Sequence, residues 1–202
     1  MGRRVGNIPG DSADRLKLAI FHMEKGDSLY EDAEFEEAID EYRAAIKLDH
    51  SSAGLFVKLA KALWANDDNE AAITEYRKAL KISPDHAIAK KGLADLLSEH
   101  DRLDDAVIEY RALLALTPDD PCAHFGIGDA YFKKGMMAEA VAETVEAIQL
   151  RPGWPFYHNR LGVLMEALGK NNEAISQYKK ALEIKPDLKS AAENLERLSM
   201  KR

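Results

Sequence analysis

The stretch "NEAAITEYRKALKIS", residues 69–83, decides the fold because similar stretches return along the chain at a constant spacing of 34 residues. The other copies are "FEEAIDEYRAAIKLD" (35–49), "LDDAVIEYRALLALT" (103–117), "MAEAVAETVEAIQLR" (137–151) and "NNEAISQYKKALEIK" (171–185). No insertion or deletion breaks this register, so chance self-similarity does not explain it. The chain therefore contains five tandem repeats, which span 19–52, 53–86, 87–120, 121–154 and 155–188.

Each repeat contains two segments of helical periodicity separated by a short polar break. In the second repeat Phe56, Leu59 and Leu63 recur at i, i+3 and i+7, which places them on one face of a helix. The break follows at Asp67, and a second periodic segment runs on to Pro84, which cannot continue a helix. No segment alternates with a period of two over a useful length. The pattern therefore predicts helices only.

Four features of the repeats recur at fixed positions and carry a family resemblance. They are a small residue in the first helix (Gly26, Ala60, Ala94, Gly128, Gly162), an alanine in the second (Ala38, Ala72, Ala106, Ala140, Ala174), an aromatic residue four places later (Tyr42, Tyr76, Tyr110, Tyr178, with Thr144 as the exception) and a closing proline (Pro84, Pro118, Pro152, Pro186, with His50 as the exception). The chain resembles the tetratricopeptide repeat family, whose unit of the same length carries these features.

The resemblance implies an all-α, right-handed α-solenoid of about eleven helices in antiparallel pairs. Residues 189–200 are predicted to form a capping helix, because each repeat buries its apolar face only against a neighbour. Asp11 or Ser12 is expected to cap the first helix, and residues 1–10 are expected to be disordered. Residues 11–202 are therefore predicted to form one continuous array and not separable domains.

Composition disfavours several classes of function. The chain has 28 Lys and Arg against 35 Asp and Glu, and a net charge of -7 disfavours nucleic acid as a partner. No apolar run approaches the roughly 18 residues of a membrane span, so direct membrane insertion is not expected. No secretion signal is recognisable at the N-terminus, and we expect a cytoplasmic protein. The single cysteine, Cys122, excludes an intrachain disulfide and a cysteine-rich zinc site.

Catalytic and cofactor sites receive little support from the sequence. Gly126 and Gly128 follow no predicted strand, so they do not form a dinucleotide-binding loop, and Gly128 is predicted to pack helices together. Three histidines share one repeat position, too far apart to bind one metal ion, and are predicted to fill the family's tryptophan site: His22, His124 and His158. Cys122 has no accompanying His–Asp constellation. We therefore expect no enzymatic activity, no metal and no cofactor.

The resemblance also implies where a partner would bind, because the first helix of each repeat lines the concave groove in this family. Helical spacing then gives the predicted partner-binding residues: Met23, Tyr30, Val57, Lys58, Lys61, Trp64, Lys91, Asp95, Phe125, Gly126, Asp129, Phe132, Phe156, Asn159, Arg160 and Val163. Aromatic anchors among basic residues predict a peptide or an amphipathic helix as the occupant. Gly126 is expected to leave a dent between two phenylalanines. The alternative is that some aromatic residues pack against the second helix of a neighbouring repeat.

A carboxylate clamp, the best-known peptide-binding mode of the family, is disfavoured because no three consecutive repeats match more than two of its five positions. The sequence therefore predicts an interaction scaffold or adaptor that binds a partner segment in the groove by another mode. Two alternatives remain: a homo-oligomeric scaffold, or the regulatory subunit of an enzyme complex. Trp154, within "RPGWPFYH" (151–158), lies either at the groove rim or between repeats.

Overall fold

The computed structural model describes residues 12–200, so the predicted disordered segment 1–10 and the predicted cap at Asp11 lie outside the described residues. Eleven α-helices and no strand are present in this described range, which confirms the predicted fold class. The helices are α1 (Ser12–Glu31), α2 (Phe35–Leu48), α3 (Ala53–Ala65), α4 (Asn69–Ile82), α5 (Ala87–Glu99), α6 (Leu103–Leu114), α7 (Pro121–Lys133), α8 (Met137–Leu150), α9 (Pro155–Ala167), α10 (Asn171–Ile184) and α11 (Lys189–Ser199).

The described chain divides into two compact units, residues 12–96 and 97–200, and their boundary falls within α5. In the first unit α1 packs on α2, α2 on α3, and α3 on α4. In the second unit each helix from α6 to α11 packs on the next. Packing of sequence neighbours joined by short loops is the arrangement that tandem helix pairs require. That all five repeats form one continuous array stays a prediction.

The alanines of the second helices are fully buried, as the family pattern implies. Each has a relative exposure of 0%: Ala38, Ala72, Ala106, Ala140 and Ala174. A larger side chain at these positions would separate the paired helices, because the interior is close-packed. Gly128 is confirmed as a packing glycine, since a Cβ built on it would lie 2.9 Å from Thr144 Oγ1.

The turn inside each repeat depends on one residue in the left-handed region. These residues are Ala33 (φ 61°), Asp67 (φ 63°), Asp101 (φ 56°), Gly135 (φ 78°) and Gly169 (φ 74°), which stand 34 positions apart. The next backbone N–H then donates back to the end of the first helix, as from Glu34 to the Leu29 carbonyl at 2.9 Å. This hydrogen bond closes the helix in a Schellman motif. Gly135 therefore makes the turn of the fourth repeat.

The capping helix α11 covers the apolar side of the last repeat. Leu198 is 2% exposed and forms a cluster with Ala174 and Tyr178. Arg197 also pairs with Glu166, with Nη2 donating to Oε2 at 2.8 Å. Helix α11 ends at Ser199, and that residues 189–200 cap the repeat array stays a prediction.

Candidate partner-binding surfaces

An apolar pocket of about 420 Å³ opens in the first unit, and we call it the Trp64 pocket. Its lining comes from α1, α3, α4 and α5. Five predicted groove residues line it: Tyr30, Lys61, Trp64, Lys91 and Asp95. The register read from the sequence therefore brings together side chains that are up to 65 positions apart, from Tyr30 to Asp95.

Tyr76 and Gly92 also line the Trp64 pocket, although neither was among the predicted partner-binding residues. Tyr76 is 1% exposed, and a Cβ built on Gly92 would lie 2.5 Å from its hydroxyl oxygen. The tyrosine ring therefore fills the space that a side chain on Gly92 would need. Burial raises the pKa of Tyr76, so the phenol stays neutral. Gly92 stands at the repeat position that Lys58 and Arg160 occupy in other repeats. This glycine is the feature of the sequence that could have indicated a ring packed there.

The charges around the Trp64 pocket leave one cation available. Lys91 pairs with Asp95 on its own helix, with Nζ 2.5 Å from Oδ2. Lys61 is exposed and has no carboxylate within ion-pairing distance anywhere in residues 12–200. Ile88, on the pocket wall, is 55% exposed. The pocket thus presents an accessible apolar wall beside an uncompensated positive charge.

A smaller pocket of about 250 Å³, also in the first unit, is polar and internally neutralised. Lys58 Nζ lies 2.6 Å and 2.8 Å from the two carboxylate oxygens of Asp27. The Tyr42 hydroxyl donates to Asp27 Oδ1 at 2.8 Å. Lys58 was predicted to face a partner, but its charge is already paired within the chain.

Arg160 in the second unit is paired in the same way. Its Nε lies 2.7 Å from Asp129 Oδ1, and its Nη2 donates to Oδ2 at 2.9 Å. Burial raises the pKa of Asp129, and the guanidinium of Arg160 opposes that rise. Arg160 also lies over the ring of Phe132, with Cζ 5.3 Å from the centroid. Arg160 therefore contacts two other predicted groove residues, Asp129 and Phe132.

Two predicted groove residues are buried. Val57 is 5% exposed, so its side chain belongs to the core of the first unit. Gly126 is buried beneath Tyr110, whose hydroxyl oxygen would lie 2.7 Å from a Cβ built on the glycine. The expected dent at Gly126 is therefore filled by a tyrosine ring. Phe125 beside it stacks on Tyr157 with ring centroids 4.8 Å apart.

Other predicted residues of the fifth repeat lie against the capping helix. Asn159 Nδ2 donates to Ser190 Oγ at 3.3 Å, and its Oδ1 accepts from Asn194 at 3.3 Å. Val163 packs against the cluster that contains Leu198. Phe156 is different, because it is 41% exposed and its ring lies 5.8 Å from that of Trp154. Met23, in the first repeat, is half-buried.

The histidines occupy the predicted tryptophan positions and bond to the second helix of their own repeats. The pairs are His22 Nδ1 with Glu41 Oε2 (2.6 Å), His124 Nδ1 with Glu143 Oε2 (2.7 Å) and His158 Nδ1 with Gln177 Oε1 (2.9 Å). Nε2 of His124 and of His158 also reach the carbonyls of Pro118 and Pro152, the closing prolines of the preceding repeats. No three potential metal ligands cluster within the described residues.

Cys122 is half-buried, and its Sγ lies 3.7 Å from the hydroxyl oxygen of Tyr157. None of the helices described between residues 12 and 200 has the length and apolar character needed to cross a bilayer.

Tandem helix pairs, with side chains of successive first helices gathered at one pocket, define a helical-repeat protein. Tetratricopeptide repeat models match residues 26–67, 57–121, 110–155 and 155–188. The chain belongs to the tetratricopeptide repeat family, which confirms the family resemblance read from the sequence. A search of the curated proteins finds no match.

Several solved structures share this fold. A crystal structure of MamA protein is 24% identical, with a TM-score of 0.76 over 84% of this chain and 93% of that one. MamA from Desulfovibrio magneticus RS-1, from residue 41 to its end, is 20% identical, with a TM-score of 0.79 over 89% and 98% of the two chains. YrrB, described as a TPR protein with an unusual peptide-binding site, is 22% identical, with a TM-score of 0.72 over 87% and 90%. These likenesses establish the fold.

Proposed function

We propose that this chain is a non-enzymatic interaction scaffold that binds an extended or helical partner segment over the Trp64 pocket. The observation that carries the proposal is the combination of an open apolar wall, formed by Trp64 and Ile88, with the available cation of Lys61. Family membership supports a protein as the partner, and the peptide-binding site described for YrrB supports a peptide as the occupant.

The pocket suits one large apolar side chain of the partner. Its volume of about 420 Å³ lies within the range of small ligand sites. Burying a leucine or phenylalanine there would contribute about 1.5–3 kcal/mol. An acidic residue next to that side chain would pair with Lys61, which is exposed and lines the pocket. This mode needs no carboxylate clamp, because Gly92 offers no side chain at a clamp position.

The proposal is tested with peptides selected from a random display library on the immobilised full chain. Titration calorimetry then compares binding of the selected peptide to the unchanged protein and to Trp64→Ala and Ile88→Glu. We expect each substitution to weaken binding by about tenfold or more, because each removes or charges the apolar wall. Ile108→Glu is the matched control, since Ile108 is 62% exposed on α6 and does not line the pocket.

Far-UV circular dichroism must show that the variants keep their helical content. Loss of binding in Ile88→Glu with full binding in Ile108→Glu supports the proposal. Equal binding by all variants, or equal loss in both isoleucine variants, contradicts it. Lys61→Glu adds a second readout, because it should shift the selected consensus from acidic to basic residues beside the apolar anchor.

Self-assembly is a second candidate, favoured by the exposure of Phe21. Phe21 is 58% exposed, whereas the residues at the same position of the other repeats are buried: Leu55, Ala89, Ala123 and Tyr157. An exposed aromatic side chain at a position that is buried in the other repeats favours association of copies through α1. Light scattering over a concentration series checks this, because Phe21→Ser should lower the apparent mass only if copies associate there.

A further inference from the structure

Two exposed aromatic side chains lie side by side in the second unit, and neither of them lines the Trp64 pocket. Trp154 is 42% exposed and Phe156 is 41% exposed. Their ring centroids are 5.8 Å apart, with planes tilted by 48°. Such a pair is expensive to leave in water, since each ring offers a large apolar face.

The local backbone holds the two rings in place. Trp154 is the N-cap residue of α9, and Pro155 fixes the first helical position behind it. The Trp154 N–H donates to the Arg151 carbonyl at 3.3 Å, and the Trp154 ring lies 6.3 Å from the buried Tyr157. The aromatic surface is therefore organised before any ligand arrives, which lowers the cost of binding.

A cation lies over each of the two rings. Arg151 Cζ is 5.6 Å from the Trp154 centroid, and Lys185 Nζ is 5.7 Å from the Phe156 centroid. Neither cation has a carboxylate within 4.0 Å anywhere in the described part of the chain. By contrast, Arg160 and Arg197 of the same unit are both ion-paired.

The two acidic residues that share a pocket with Arg151 leave its charge available. Asp119 and Asp120 share a pocket of about 480 Å³ with Arg151 but do not approach it within ion-pairing distance. Asp120 is already engaged, because its Oδ1 accepts the backbone N–H groups of Cys122 and Ala123. The cation of Arg151 thus remains open to a carboxylate from outside the unit.

We propose that Arg151, Trp154, Phe156 and Lys185 form an aromatic ledge that binds an extended partner segment with an acidic residue at each end and apolar residues between them. The three successive steps along the ledge are 5.6, 5.8 and 5.7 Å. The two cations are therefore at most about 17 Å apart, which about five extended residues span. Apolar side chains or proline rings lie on the two aromatic faces, and the carboxylates pair with the cations.

The rings and cations would also suit single-stranded nucleic acid, which stacks its bases on aromatic side chains. Charge favours the acidic peptide instead. A nucleic-acid site follows the backbone with many cations, whereas the ledge offers two in a chain of net charge -7. Nucleic acid is accordingly one outcome of the test below.

The experiment uses the full chain and a fluorescein-labelled peptide of sequence GEPLPEG, whose prolines favour an extended conformation. Fluorescence anisotropy measures its binding beside GQPLPQG and GKPLPKG. We expect saturable binding of GEPLPEG and a loss of about tenfold or more for each of the other two peptides. W154A should weaken binding to a similar extent, while W154F, which keeps an aromatic face, should retain most of it.

Charge exchange gives the sharper readout. The double substitution R151E/K185E should lose GEPLPEG and gain GKPLPKG, which a merely structural role of these residues would not produce. K180E is the matched control, because Lys180 is an exposed lysine on α10 outside the ledge, and it should leave both affinities unchanged. Circular dichroism establishes that every variant remains helical.

Five outcomes overturn the proposal. Four concern binding: the absence of saturable GEPLPEG binding up to about 1 mM, equal binding of all three peptides, unchanged binding in W154A, and tighter binding of an oligothymidylate than of GEPLPEG. The fifth is a fall in mass of W154A in light scattering, which identifies a second copy of the chain as the occupant.

Discussion

The ring of Tyr76 occupies the space that a side chain on Gly92, in the following repeat, would need: a Cβ on Gly92 would lie 2.5 Å from the tyrosine Cζ. Tyr110 has the same relationship to Gly126. Tyr42, in contrast, lies over a glycine of its own repeat, with its Cε1 2.7 Å from a Cβ built on Gly26. The repeat tyrosine therefore packs in two different ways along the chain.

The two ways of packing the tyrosine go together with the identity of the small residue in the first helix of the same repeat. The repeats of Tyr76 and Tyr110 have alanine there, and the tyrosine ring lies over a glycine of the next repeat. The repeat of Tyr42 has glycine at this small-residue position. In the next repeat, Lys58 stands where the other arrangement has the glycine under the ring, and it pairs with Asp27. The junction between repeats is therefore filled by a tyrosine ring in one arrangement and by an ion pair in the other.

Gly92→Ala and Gly126→Ala are each expected to lower the free energy of unfolding by about 1–3 kcal/mol, because the methyl group overlaps the tyrosine ring. Urea denaturation followed by circular dichroism measures the change. Gly54→Ala is the matched control, since the nearest atom to its added Cβ is 3.7 Å away. This control should be neutral or stabilising by up to about 1 kcal/mol. Destabilisation of all three variants alike would contradict the packing argument.

Ala33→Gly is expected to stabilise the chain by about 0.5–1 kcal/mol, because alanine at a φ of 61° is strained and glycine is not. The reverse change, Gly169→Ala, starts from a φ of 74° with nothing within 4 Å and should destabilise by about 1 kcal/mol through backbone strain alone. Thermal unfolding of both variants measures the signs. The explanation fails if both changes shift the melting temperature in the same direction.

Glu41 is expected to make stability depend on acid pH. Hydrogen bonds from His22 and then Lys25 hold the pKa of Glu41 below its ordinary value of 4.5. A carboxyl whose pKa is lowered in the folded state stabilises the protein above the ordinary pKa, and this contribution is lost as the pH falls through the lowered value. Glu41→Gln should therefore flatten the loss of unfolding free energy as the pH falls below 4.5.

Glu37→Gln is the control for this titration, because Glu37 is an exposed residue of the same helix. Its denaturation curves should keep the pH dependence of the unchanged protein. An identical pH dependence in the Glu41 and Glu37 variants would remove Glu41 from the explanation.

Arg160→Ala is expected to destabilise the second unit by about 1–3 kcal/mol near neutral pH, because it leaves the Asp129 carboxylate without its partner. Burial already raises the pKa of Asp129 above 3.8, and Arg160 opposes this rise. Without Arg160 the protonated form is favoured. Stability is then greatest below the ordinary pKa and is lost as the pH rises through the raised value.

The double variant Asp129→Asn/Arg160→Ala checks that argument, since an amide carries no charge to desolvate. It should be more stable near neutral pH than Arg160→Ala alone and should lose the pH dependence. Chemical denaturation at a series of pH values measures both properties. A double variant as unstable as the single one would show that lost packing of Arg160 on Phe132 is the cause.

The sequence predicts the helices and most of the Trp64 pocket because both depend on local register. Helical spacing within a repeat places Lys61 and Trp64 on one face, and the constant period places Lys91 and Asp95 on the corresponding face of the next repeat. These are properties of spacing, which the sequence contains in full.

What the sequence does not predict depends on side-chain direction. The tyrosine ring that fills the expected dent at Gly126 comes from another helix, and its rotamer is set by packing there. The ion pairs of Lys58 and Arg160 join residues that stand 31 positions apart, so helical spacing within one element does not show them. Trp154 could not be placed because it lies in a turn, where periodicity carries no information.

The two packings of the repeat tyrosine set limits on recombination of this chain. A repeat exchanged or duplicated as a 34-residue block carries its tyrosine but not the residue beyond the block that receives the ring. If the repeat that contains Tyr76 were placed before the second or the fifth repeat, its tyrosine ring would meet Lys58 or Arg160 and not a glycine. A grafted repeat should therefore be joined inside the repeat, after the residue that receives one tyrosine ring and before the next tyrosine, and not at the closing proline.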